Sequence, residues 1–245
     1  PFRLDFLQYP LRSLPARPWH GTMQGMTAPA SLNPAALSAD SEHTIHTLGQ
    51  LESLLGTPSE AAVAKELPRV HPGYRAMIEA SPFAVLATQG PGGLDASPRG
   101  DPAGFVQVLD DDQTLLLPER RGNHRADSLR NILTDPRVAL LFLIPGVGET
   151  LRVNGRAHIS VAPDLMARFV VNGKPPQCVL VIKAESVYFQ CARAIQRSGL
   201  WDSVPPGTPR PVPTPGALLA SITHGSFDGE TYDRELPARQ QASLY

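Results

Sequence analysis

Phe83-Ala84-Val85-Leu86-Ala87-Thr88-Gln89-Gly90-Pro91-Gly92-Gly93-Leu94-Asp95-Ala96-Ser97-Pro98 is the stretch that decides the fold class. Its apolar run is too short for a helix and stops at a Gly/Pro cluster, so it predicts a strand, a turn and a strand that pairs back. The same texture continues toward the C-terminus. Gly104–Leu109 and Thr114–Leu117 read as strands around an Asp110-Asp111-Asp112 turn. Arg125–Thr134 reads as a helix with Leu129, Ile132 and Leu133 on one face, stopped by Pro136. Arg137–Ile144 is a fully apolar strand, Pro145–Gly148 a turn, and Thr150–Val161 a strand pair or one strand bent at Asn154-Gly155. A helix from Pro163 to Val171, a long strand over Cys178–Phe189 and a helix over Cys191–Arg197 complete this part.

Toward the N-terminus the pattern is helical. Ile45, Leu48, Leu51, Leu54 and Leu55 recur at helix spacing, Ser59 is placed to cap a short helix through Lys65, and Pro72–Ala80 reads as a third helix. Helices, then short strands and turns with two inserted helices, are not the alternation of a doubly wound sheet. They predict an α+β, mostly β architecture: an antiparallel barrel with flanking helices. Prolines concentrate at both ends of the chain. Residues 1–40 are expected to be extended or disordered, 41–202 to form the folded domain, and 203–245 to form a proline-rich tail, with Pro205–Pro215 unable to sustain a helix or a ladder. Met23 or Met26 stands nearer an expected natural start, and Pro1–Gly25 does not read as a signal peptide.

Composition narrows the function classes. Lys plus Arg is 22 against 23 Asp plus Glu, a net charge of −1, which speaks against a nucleic-acid partner. The longest apolar run, Val138–Ile144, is far short of the ~20 residues a spanning helix needs, so no membrane partner is expected. Cys178 and Cys191 form no metal-binding or redox motif; they read as reduced, largely buried thiols, and the expected location is cytoplasmic.

The sharpest chemical feature is Pro118-Glu119-Arg120-Arg121-Gly122-Asn123-His124-Arg125, between a strand and a helix. Guanidinium forks and the unpaired amides of a helix N-terminus make an anion site there, with Asn123 as cap and Ser128 as a further donor. A solvated basic loop capped by Asn123 is the competing reading. Ser97-Pro98-Arg99-Gly100 adds one more cation, and such an arginine set near one barrel rim suits a phosphomonoester. Other motifs fail. Gly146-Val147-Gly148-Glu149-Thr150-Leu151 lacks the third Gly of a dinucleotide fingerprint and leads into a strand. There is no phosphate-binding P-loop, Gly225-Ser226 lacks the context of a nucleophile elbow, and His43 and His46 lack a third metal ligand.

The same segments resemble the pyridoxamine 5′-phosphate oxidase-like flavoproteins, from about Leu51 to Trp201. The resemblance is carried by FAVLAT (83–88), SPRGDPAGFV (97–106), RRGNHRADSLRNIL (120–133), DPRVALLFLIPGVGETLRVNGRA (135–157) and RSGLW (197–201). It implies a split β-barrel homodimer with FMN at the dimer interface. It also implies that Arg99, with Ser97 beside it, and Asn123-His124-Arg125 meet the flavin phosphate, with Arg120 and Arg121 compensating for charges missing from that triplet. Leu117 and Pro118 stand where the family has a Tyr-Thr pair. Thr150 stands at a ring-contacting Gln, and Gln190 at a Trp that crosses the dimer. Arg197 and Trp201 are nearby candidates for that last role. These departures fall on positions that meet substrate and ring, so they speak against pyridoxamine phosphate as substrate.

The expected function is an FMN-dependent oxidoreductase acting on a small molecule, with no catalytic dyad required because the cofactor carries the chemistry. The alternatives are a non-catalytic flavin or haem carrier and a deazaflavin-dependent reductase on the same scaffold.

Overall fold

The computed structural model describes residues 43–122 and 124–245; the expectations for residues 1–40 and for Asn123 lie outside the described residues. Three helices come first: α1 (Leu48–Leu55), α2 (Glu60–Ala64) and α3 (Pro72–Ala80). Thr47 and Gln50 form a reciprocal capping box on α1, and the Ser59 side chain caps α2. The strands follow as β1 (Phe83–Gly90), β2 (Gly93–Gly100), β3 (Gln107–Val108) and β4 (Thr114–Glu119). After α4 (Asp127–Thr134) come β5 (Arg137–Leu143) and β6 (Thr150–Ser160). Next are α5 (Pro163–Ala167), β7 (Cys178–Gln190) and α6 (Arg193–Ser198).

All seven strands form one antiparallel sheet in the order β2-β1-β5-β6-β7-β4-β3. Alternate residues point inward, so Ala84, Leu86, Val138, Leu140, Phe142, Leu151, Val153, Leu180 and Ile182 share one core. β2 and β4 share no ladder. Yet Arg99 on β2 meets Glu119 on β4 at 3.0 Å, and Arg120, just past β4, meets Asp101, just past β2, at 2.8 Å. The sheet therefore curls until these strands face each other across a gap bridged by side chains. This is the antiparallel, mostly β, α+β split barrel with flanking helices that the sequence predicts.

Several boundaries differ from expectation. The 104–109 strand shrinks to Gln107–Val108, and the helix after Pro163 stops at Ala167. α4 starts at Asp127, not Arg125, and Leu133 is 77% exposed while Ser128 and Ile132 face inward. Leu129 and Ile132 pack on the core as the periodicity predicts, whereas Ser128, not Leu133, completes the inward face. Cys178 is buried as expected, but Cys191 is exposed because it lies past the end of β7.

Residues 203–214 form no helix or strand. Beyond them the chain folds into α7 (Pro215–Ile222) and α8 (Gly229–Ser243), which the proline count had not suggested. Pro215 sits in the first turn, where no N–H is needed, and the Thr214 side chain caps that turn. The two helices touch through Gly216 and Gly229: a Cβ on Gly216 would lie 2.1 Å from the Gly229 carbonyl oxygen.

β6 and β7 keep one long ladder by means of a bulge. Asn154 faces Ser186 but Gly155 faces Ala184, leaving Glu185 as the extra residue. A Cβ on Gly155 would lie 2.2 Å from the Lys183 carbonyl oxygen, so the close approach requires glycine. Gly155→Ala is expected to destabilise the fold by about 1–3 kcal/mol through overpacking, read as a lower midpoint in chemical denaturation with an unchanged slope.

Candidate anion-binding cleft

The strand period places Asp95, Ser97 and Arg99 on one face of β2, each half-buried between exposed neighbours. β4 delivers Pro118 and Glu119 opposite them and runs on into Arg120 and Arg121. α4 presents its N-terminus to the same space. It is fixed there by Asn131, whose side-chain amide donates to Thr88 Oγ1 at 3.0 Å, and by Gly90, where any side chain would collide with Asn131.

These elements enclose a cleft of about 510 Å³ lined by Ser97, Arg99, Pro118, Arg120, Arg121, Arg125 and Ser128 among others. Seven of the residues singled out from sequence therefore converge. Leu117 is fully buried in the barrel core and does not line the cleft. His124 is exposed beside it, with a left-handed backbone at φ 61°.

The cleft also contains carboxylates that sequence reasoning had not weighed. Glu119 holds Arg99, Asp101 holds Arg120, and Asp127 holds Arg125 at 2.8 Å. Ser97 Oγ and Ser128 Oγ both donate to Asp95 Oδ2, at 3.1 and 3.0 Å. Among lining residues the charges run four arginines against Asp101, Glu119 and Asp127. Arg121 makes no ion pair among the described residues. The period-two run Asp95, Ser97, Arg99 is the sequence signal that points to Asp95. Asp101 and Glu119 are legible only as neighbours of the arginines.

Burial pushes the Glu119 carboxyl above its ordinary range, and the Arg99 guanidinium opposes that shift. The Asp101 side chain is only 3% exposed and has both oxygens occupied, one by Arg120 and the other by the Tyr245 hydroxyl at 2.6 Å. Arg120 also donates to the Phe169 carbonyl at 2.7 Å. Ala126, in the N-cap position of α4, has a left-handed backbone and offers no side-chain cap, and no side chain among the described residues caps this end. The Arg99, Arg120 and Arg121 guanidinium groups, with a helix terminus that no described side chain caps, form a donor set that fits a phosphate.

The remaining predicted residues gather elsewhere. Thr150 faces Gln190 across the β6–β7 ladder, and Trp201 Nε1 donates to the Val147 carbonyl at 2.7 Å, holding the Gly146–Glu149 turn. Arg197 is exposed on α6. Glu119 pairs with Cys178 at the start of β7 while Thr150 pairs with Gln190 at its end, so the two groups stand at opposite ends of a thirteen-residue strand.

Residues 70–191 match the model of the family described as pyridoxamine 5′-phosphate oxidase. The chain belongs to the pyridoxamine 5′-phosphate oxidase-like family. Among solved structures it is similar to HupZ from Group A Streptococcus, at 17% identity over 48% of this chain and 91% of that one, with a TM-score of 0.40. It is also similar to a Clostridium acetobutylicum protein related to general stress protein 26, of the pyridoxinephosphate oxidase family. There the identity is 14% over 47% of this chain and 84% of that one, with a TM-score of 0.36. No curated protein matches the chain. Membership accounts for the split barrel. Among the described residues no helix is long and apolar enough to cross a membrane, and no group of side chains is placed to hold a metal.

Cys178 borders this region. Burial, and secondarily the Glu119 carboxylate, pushes its thiol up to about 11. At pH 8 only roughly one molecule in a thousand would carry the reactive thiolate. Iodoacetamide at that pH is expected to leave Cys178 unmodified in the folded protein and to alkylate it in denaturant, as read by peptide mass spectrometry.

Proposed function

We propose that this protein binds FMN with its phosphate in the cleft between β2, β4 and α4, and that it is an oxidoreductase passing hydride or electrons between the flavin and a small molecule. The observation that carries the reading is the convergence of Arg99, Arg120, Arg121 and Arg125 on one cleft with the α4 N-terminus, which no described side chain caps. Arg99 and Arg120 would be held in fixed orientation by Glu119 and Asp101, leaving their outer guanidinium nitrogens for the phosphate. Arg121 and Arg125, at the exposed rim, would supply charge. Ser97 and Ser128 would turn to the phosphate only by releasing Asp95, since each hydroxyl has a single proton to give. Family membership supports a flavin as the group that brings such a phosphate. Bound FMN would supply hydride or single-electron transfer, which no side-chain dyad here needs to perform.

The unit that holds the cofactor would be residues 41–202, acting as a homodimer in the cytoplasm, with 203–245 as an appended segment. Support for the dimer is that Thr150, Gln190, Arg197 and Trp201 do not line the cleft of their own chain. A second copy would bring that group to the ring. Exposed apolar residues such as Leu94 and Phe189 give such a contact apolar surface to cover.

Arg121→Ala combined with Arg125→Ala tests the reading without touching the barrel-closing pairs. FMN affinity, followed by quenching of flavin fluorescence, is expected to fall about tenfold or more, near 1.4 kcal/mol or above. An undiminished affinity would overturn the assignment. Steady oxidation of a reduced nicotinamide by the FMN-loaded protein is the expected activity; a flavin that binds but never turns over would leave a carrier in its place.

A further inference from the structure

The α7–α8 hairpin is assembled on itself and, among the described residues, is hydrogen-bonded to the barrel through one residue. Asp233 on α8 clasps the start of α7, taking the Gly216 amide at 2.7 Å and the Thr214 hydroxyl. The Gly216–Gly229 contact closes the pair. Among the described residues, every hydrogen bond between this hairpin and the barrel runs through Tyr245, just beyond α8. Its hydroxyl donates to Asp101 Oδ1 at 2.6 Å, and its carbonyl accepts from Lys174 Nζ at 2.7 Å. Its ring lies under the Arg120 guanidinium, 5.4 Å from centroid to Cζ.

That point of attachment lies beside the cleft. Gln240, Ser243, Leu244 and Tyr245 form, with Gly100, Arg120 and Arg121, a second cavity of about 410 Å³ that shares those last three residues with the main cleft. Arg120 is thus fixed on three sides: by Asp101 through Nε, by the Phe169 carbonyl through Nη1 and by the Tyr245 ring across its face. Its Nη2 donors make no hydrogen bond among the described residues. Asp101, in turn, is held between Arg120 and Tyr245.

We propose that Tyr245 is a positioning residue for the anion site: it orders Asp101 and Arg120 so that the free guanidinium edge of Arg120 meets the phosphate of the bound flavin. The proposal rests on the FMN reading above. Tyr245 itself touches no phosphate in this arrangement and acts through the two residues it fixes. Hydrogen bonding to Asp101 and burial hold its phenol above the ordinary range, so it remains a proton donor through neutral and mildly alkaline pH.

The chemistry separates an orienting role from a merely structural one. Riboflavin has the same ring as FMN and lacks the phosphate, so only an effect exerted at the phosphate changes the ratio of the two affinities. In the 245-residue chain, Tyr245→Phe keeps the ring under Arg120 and removes the bond to Asp101. It is expected to weaken FMN binding roughly fivefold to tenfold while leaving riboflavin affinity unchanged. Tyr245→Ala, which also removes the ring, is expected to weaken FMN binding further. Thermal melts of the ligand-free variants report any loss of fold separately. Equal loss of FMN and riboflavin affinity, or no loss of either, overturns the positioning role while FMN binding by the wild type stands. A wild type that binds neither flavin overturns the cofactor reading and this proposal together.

Discussion

Two crossed ion pairs hold the barrel across the gap that its hydrogen bonds leave open. Arg99 with Glu119 and Arg120 with Asp101 join the ends of β2 and β4, strands that share no ladder. In both pairs the side chains are mostly shielded from water. Such pairs contribute little net stability over an apolar replacement, yet removing one partner costs about 3–5 kcal/mol because the other charge is left buried and alone. Position is what they supply. They fix how far the barrel splits, and so how wide the cleft at its rim becomes. The guanidinium groups that close the barrel are also those that line the cleft. Arg99 and Arg120 therefore cannot be altered for binding without being altered for folding, whereas Arg121 and Arg125 stand outside the closure.

The other wall of the cleft depends on a close backbone approach. α4 presses on β1 at Gly90, where no side chain fits, and Asn131 locks the contact through the buried Thr88 hydroxyl. This sets the height of the helix on the barrel and brings Ser128, itself buried, opposite Ser97 across Asp95. One carboxylate accepting from two hydroxyls ties β2 to α4 just as the ion pairs tie β2 to β4. Polar bonds thus fasten all three walls beside the apolar packing of Ile132 and Leu129 that seats α4 on the barrel.

The short apolar runs of β1 and β5, each bounded by turn residues, made the antiparallel barrel legible, because runs too short for a helix and closed by Gly and Pro read as strands that turn back. The basic segment 118–125 and Arg99 announced an anion site, because cation identity is visible residue by residue. What stayed hidden was pairing. Asp95, Asp101 and Glu119 are ordinary acids in the linear chain, and only barrel closure brings them to the arginines. The C-terminal hairpin was hidden for a different reason. The prolines from Pro205 to Pro213 rightly forbid regular structure over that stretch, but a proline in the first turn of a helix starts that helix as readily as it ends a strand. Thr214-Pro215 does so here. A proline count cannot distinguish the two.

The split of the candidate site into two groups follows from the same geometry. β7 carries Cys178 beside Glu119 at one end and Gln190 beside Thr150 at the other. An extended strand of thirteen residues spans about 40 Å. No rotamer change within one chain carries Thr150 or Trp201 over that distance to the arginines. A ligand in contact with both groups needs a second copy of the chain, placed so that the Thr150 end of one barrel faces the arginine end of the other. Two-fold symmetry then makes two equivalent sites from one interface. Under the flavin reading, the family's phosphate arginines and ring-contacting positions can both be present in a chain that, alone, brings only the first set to the cleft.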